Sequence, residues 1–204
     1  MDMELVFQTI EARKEEVFAL LSSLVKIDSQ NFSSYGKEKE ICEYIHKYCE
    51  DLGLESAMYS PMELEGFENH PDYMPNHGLE NRYNVTAKWQ GAEDKNALML
   101  MAHSDTVQFG DPANWKFSPT SGEIRDGRIY GRGSADDKGP AVVGLGCINV
   151  SHRESIPWFL GQAVQVGQQS KGILVGFLQG DFGLHGIVEQ HADTAMAVPV
   201  PGSS

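Results

Sequence analysis

Met99-Leu100-Met101-Ala102-His103-Ser104-Asp105-Thr106-Val107 is the stretch on which the fold turns. From Ala97 to Ala102 every residue is apolar, the pattern of a strand buried on both faces. The run stops at a histidine, and an aspartate follows two residues later. In extended backbone, alternate side chains point to the same side. Asp105 can therefore accept a hydrogen bond from one imidazole nitrogen while the other faces a metal ion. The C-terminal end of a buried strand is also where open α/β sheets place their sites. An isolated His-x-Asp carries little weight, because a hydrogen-bonded pair at a strand end is common. Its neighbours decide what it means.

Upstream, Asn84 to Trp89 alternates like a strand, and Leu54 to Tyr59 reads as a short one. Between them, Ser60 to Glu80 holds Pro61, Gly66, Pro71, Pro75 and Gly78 and is a long loop. His70, Asp72 and His77 in that loop read as solvated, since nothing pre-orients them. Two helices precede it. Val17, Phe18, Leu21, Leu24 and Val25 make one stripe, and Asp28 to Asn31 is a break. Ile41, Tyr44, Ile45, Tyr48 and Leu52 make a second stripe, with Gly53 where a C-terminal cap glycine belongs. Downstream, Ile124 to Tyr130 is a hairpin signal around Asp126-Gly127, the dipeptide of a type I′ turn. Pro140 sits just inside a helix start, where a missing N–H costs nothing. Gly172 to Leu178 reads as another buried strand. Helices interleaved with buried strands predict an α/β layered domain with a mixed central sheet flanked by helices.

Composition narrows the function. The 204 residues carry a net charge of −13, which argues against nucleic acid and against anionic membranes as partners. No apolar stretch approaches the ~20 residues that span a bilayer. Met1-Asp2-Met3-Glu4 is acidic and opens no signal-like apolar region. Cys42 and Cys49 lie on one helix, roughly 10 Å apart along its axis, too far to bridge. With Cys147 they read as reduced thiols, and a cytoplasmic location is expected. The Asn-x-Ser/Thr triplets at Asn31, Asn84 and Asn149 then read as chance. Only six of the charged side chains lie beyond residue 147. That shift in composition, and the lack of period in residues 148–170, mark this segment as atypical.

The second constellation is Gly131-Arg132-Gly133-Ser134-Ala135-Asp136-Asp137-Lys138-Gly139-Pro140. Its glycines permit a tight backbone path, and two adjacent carboxylates precede a helix. Helix capping is the plain alternative. A phosphate loop fits worse, because Asp136 stands at the sixth position of Gly-x-Gly-x-x-Gly and would repel a pyrophosphate. Gly-Lys-Ser/Thr is absent too.

Together these segments are far more specific. His103-Ser104-Asp105, Gly110-Asp111-Pro112, Trp115, Asp126-Gly127-Arg128-Ile129-Tyr130-Gly131-Arg132-Gly133 and Asp136-Asp137-Lys138-Gly139 follow one another in order, with Asn84-Val85-Thr86-Ala87 upstream. This order resembles the acetylornithine deacetylase, succinyl-diaminopimelate desuccinylase and aminoacylase family of zinc metallopeptidases, most closely over residues 80–146. The resemblance implies a three-layer α/β sandwich with a mostly parallel sheet, of which residues 1–204 are a partial catalytic domain. It implies that His103 ligates one metal, that Asp136 bridges two zinc ions, and that Asp105 orients His103 and raises its basicity. Cobalt(II) is the implied substitute metal. A water held between the ions would attack the amide of an N-acyl amino acid or small peptide. A cis peptide is implied at Asp136–Asp137.

The match is incomplete further on. The family's adjacent glutamates, a general base and a metal ligand, fall on Gly180 and Asp181. Glycine accepts no proton, and aspartate is one methylene short. An acidic ligand falls on Val200. His185 and His191 lie nearby and read as surface residues. A downstream histidine and the lid domain through which the family dimerises have no counterpart. The resemblance therefore implies a hydrolase impaired in this chain, or a truncated, inactive member.

Overall fold

The computed structural model describes residues 3–71, 73–75, 78–90, 96–153, 170–178 and 197–199. Helix α1 spans Met3–Lys26 and α2 spans Lys39–Asp51. Strand β1 (Glu55–Tyr59) follows, then β2 (Asn84–Gln90) and β3 (Asn96–His103). The hairpin β4 (Glu123–Arg125) and β5 (Arg128–Tyr130) leads into α3 (Lys138–Arg153). Strands β6 (Ser170–Leu178) and β7 (Ala197–Pro199) complete the described elements.

The fold is α/β, as its sequence predicts. The main sheet runs β1-β2-β6-β3. Strand β6 pairs parallel with β3 and antiparallel with β2, which is itself antiparallel to β1. The sheet is mixed, but the expected parallel majority is not found among the described pairings. Apolar runs identify buried strands and carry no information on direction.

The three described helices share one core with the sheet. Leu20, Leu21, Leu24 and Val25 of α1 meet Ile41, Cys42, Ile45 and Cys49 of α2, Leu145 and Ile148 of α3, and Val85 and Ala87 of β2. Leu100 and Ala102 of β3 pack against this cluster, whereas Met99 and Met101 are 53% and 60% exposed. Strand β3 is thus buried on one face, not both. An unbroken apolar run is compatible with either, because periodicity cannot report whether the second face is covered. The α2 stripe also differs from expectation. Tyr44 is exposed, and Cys42 and Cys49 take its share of the buried face, behaving as small hydrophobes.

The punctuation is as read from sequence. Gly53 has φ 77° and ends α2, and Asp126 and Gly127 have φ 51° and 69° in the β4–β5 turn, as type I′ requires. The loop after β1 contains two short 3₁₀ turns, Pro61–Glu63 and Phe67–Asn69. Asn84 and Asn149 have buried side chains, which argues against both as glycan acceptors in the folded chain.

Candidate active site

The site forms where β3 ends. His103 is its last residue, and the chain beyond is tied to the segment after α1. Thr106 N donates to Ser29 O at 2.9 Å, Asn31 N to Thr106 O at 2.8 Å, and Ser29 Oγ to Ser104 O at 2.8 Å. These bonds fix Asp105 beside His103. The imidazole Nδ1 lies 3.1 Å from the Asp105 carbonyl and 3.3 Å from its Oδ1. The other oxygen, Oδ2, accepts from Asn31 Nδ2 at 3.1 Å.

The glycine-rich turn brings the second half. Asp137 Oδ2 accepts from the His103 backbone N–H at 3.1 Å, clamping the turn to the strand end. The Asp136–Asp137 peptide is cis, as the family resemblance implies. Asp136 then places Oδ1 3.0 Å from His103 Nε2. The carboxylate of Asp136 is 75% exposed and that of Asp105 only 9%. A cavity of about 80 Å³ opens here, lined by His103, Asp105, Arg132 and Asp136 among others.

Electrostatics follow from this geometry. The hydrogen bond with Asp105 lifts the His103 pKa to about 9, against partial burial, and Asp136 adds to the rise. Lys138 is buried, and its Nζ donates at 2.9 Å to both Leu24 O and Ile27 O, the carbonyls at the end of α1. Burial pushes its pKa down to about 7. A side chain two residues from Asp136 thereby ties the turn to α1. Its sequence signal, a lysine at a helix start, is the reverse of what the helix dipole favours.

The donor chemistry suits part of a metal shell. Tetrahedral zinc ligands at about 2.0–2.1 Å stand roughly 3.3 Å apart. His103 Nε2 and Asp136 Oδ1 are close to that spacing, with the far ring nitrogen held by Asp105. No group of three or more His, Cys, Asp or Glu side chains able to hold an ion converges among the described residues. Asp181 lies outside the described residues, as do Gly180, His185, His191 and Val200. In the long loop His70 is exposed, and Asp72 and His77 also fall outside. Asn31, Asp137 and Lys138 brace the site, roles the sequence did not disclose.

Residues 99–158 match Peptidase family M20/M25/M40. An uncharacterized metallohydrolase of Methanocaldococcus jannaschii is 38% identical over 128 residues, covering 60% of this chain and 28% of the relative. A succinyl-diaminopimelate desuccinylase of Rhodospirillum centenum is 40% identical over 90 residues, 44% of this chain and 22% of the relative. The chain thus spans less than a third of the length of either. Human carnosine dipeptidase 1 shares the fold with a TM-score of 0.62 at 18% identity, over 85% of this chain and 34% of that one.

Proposed function

We propose that this chain forms part of the catalytic domain of a metal-dependent hydrolase that cleaves an amide bond of an N-acyl amino acid or small peptide. The observation that carries the reading is the approach of His103 Nε2 to Asp136 Oδ1 with Asp105 behind the ring. In this reading His103 and Asp136 would hold the ion, zinc or cobalt(II), and Asp181, outside the described residues, would be a further ligand. A bound divalent ion supplies Lewis acidity at the scissile carbonyl and acidifies water.

The chain's own residues do the rest. Asp105 fixes the ring's rotation and strengthens its Nε2 as a donor of electrons. Asn31 holds Asp105 in turn. Asp137 and Lys138 hold the turn that carries Asp136. The desuccinylase and dipeptidase named among the similar proteins support small acyl or peptidyl substrates. The acidic chain and its free cysteines fit a cytoplasmic setting.

A second reading is a chain that binds metal and turns over little. Gly180 favours it, since a general base contributes about 10²–10⁴-fold and glycine supplies none. The test is to supply zinc or cobalt(II) and N-acetyl amino acids or dipeptides, and to follow the freed amine. Metal-dependent release lost in His103→Ala and Asp136→Ala supports the first reading. Metal binding without release supports the second, and neither binding nor release overturns both.

A further inference from the structure

Both halves of the site hang from one short segment at the end of α1. On the turn side, Lys138 Nζ reaches the carbonyls of Leu24 and Ile27, each at 2.9 Å. On the strand side, Ser29 Oγ donates to Ser104 O, and the backbones of Ser29 and Asn31 bracket that of Thr106. Asn31 is pinned from its other side too, by a bridge to Gly36, whose N–H donates to Glu80 O at 3.0 Å. Neighbouring side chains in such extended backbone point to opposite sides. Gln30 accordingly has other partners: its Oε1 accepts from Phe109 N at 2.9 Å, and its Nε2 donates to Asp28 Oδ1 at 3.0 Å. Asn31 meets Asp105, its Nδ2 donating to Oδ2 at 3.1 Å.

The far oxygen of Asp105 lies 3.3 Å from His103 Nδ1, and the Asp105 carbonyl lies 3.1 Å from the same nitrogen. One ring nitrogen thus meets a charged acceptor and a neutral one. The charged acceptor makes the stronger bond when it is aligned, and alignment depends on the rotation of the carboxylate. Asn31 fixes that rotation by holding the other oxygen, in a place where the carboxylate is nearly closed to water. The position calls for a donor, since an aspartate at 31 would set two carboxylates against each other.

We propose that Asn31 is a positioning residue for the metal centre. It makes the carboxylate of Asp105, rather than the Asp105 carbonyl, the partner of the His103 ring, and so sets the direction and electron supply of Nε2 at the ion. The inference rests on the metal-dependent hydrolase reading of this site and names a residue beyond its ligands that governs affinity. Outer partners of this kind change metal affinity by about 10–100-fold.

Zinc and cobalt(II) are the probes, titrated into the full 204-residue chain, Asn31→Leu and Asn31→Asp. The first variant removes the donor, and the second replaces it with a like charge. Zinc affinity should fall about tenfold in Asn31→Leu and further in Asn31→Asp, and Asn31→Gln, which keeps a carboxamide, should recover part of it. The visible absorption bands of bound cobalt(II) should move in Asn31→Leu, because they report ligand strength and geometry. A lowered urea midpoint with the bands unmoved and zinc affinity unchanged would show a role in stability alone and overturns the proposal. Hydrogen exchange on the 15N-labelled wild type decides even if the variants do not fold. The Asn31 side-chain amide should be protected from solvent, and rapid exchange overturns the proposal. Zinc bound equally by wild type and Asn31→Leu removes the role of Asn31 alone. A wild-type chain that binds neither metal removes the hydrolase reading, and the proposal with it.

Discussion

His103 Nε2 stands 3.0 Å from Asp136 Oδ1 across 33 residues of sequence, and the contact joins a strand end to a helix start. Two groups that attract in the absence of an ion are the two that an ion would draw together. The proton on His103 is therefore the competitor of the metal.

A pH dependence follows. The neighbours Asp105 and Asp136 raise the His103 pKa from its ordinary 6.5 to about 9. The folded chain then holds this proton more tightly than the unfolded one, so the stabilisation is fully present below about pH 6.5 and is lost as pH rises through about 9. Metal affinity should run the other way, strengthening up to about pH 9 and levelling above it. Zinc titrations at a series of pH values check this, and a flat profile between pH 6.5 and 9 would contradict it.

Lys138→Met should destabilise the chain by about 2–4 kcal/mol, because the carbonyls of Leu24 and Ile27 would lose a buried donor. Urea unfolding followed by circular dichroism measures the loss. A change within about 0.5 kcal/mol would show that the tie between α1 and the turn is dispensable.

Gly131→Ala should cost about 3 kcal/mol. Gly131 has φ 143°, and an added Cβ would lie 2.3 Å from Val25 Cγ1 and 2.8 Å from Pro119 O. The same denaturation measurement applies. An unchanged midpoint would mean that the turn rearranges freely.

Burial pushes the thiols of Cys42 and Cys49 up to about 12, and both are wholly enclosed. In the native chain they should resist alkylation by iodoacetamide near neutral pH, and Cys147, which is less buried, should react first. Peptide mapping by mass spectrometry reads the order. Guanidinium should make all three reactive.

Much of this was legible from the residues. The strands, the Asp126-Gly127 turn and the meeting of His103 with Asp136 are local or motif-borne, and such signals survive folding. What the sequence concealed is set by packing. Met99 and Met101 have the same apolarity as Leu100, yet they face the other side of the sheet. Tyr44 has the helical spacing of the α2 stripe, yet Cys42 and Cys49 pack there and Tyr44 is exposed. The bond from Asn31 to Asp105 spans 74 residues, and no periodicity reports such a contact. Arg132 and Trp115 both lie in motifs legible in the sequence, but the stacking of the guanidinium over the indole appears only in the fold.

The central claim is that His103 and Asp136 ligate one ion. Calorimetric titration of zinc into the wild-type chain, His103→Ala and Asp136→Ala tests it most directly. The account predicts saturable binding to the wild type, weakened at least tenfold in each variant by loss of a ligand. Equal zinc affinity in all three proteins would contradict it.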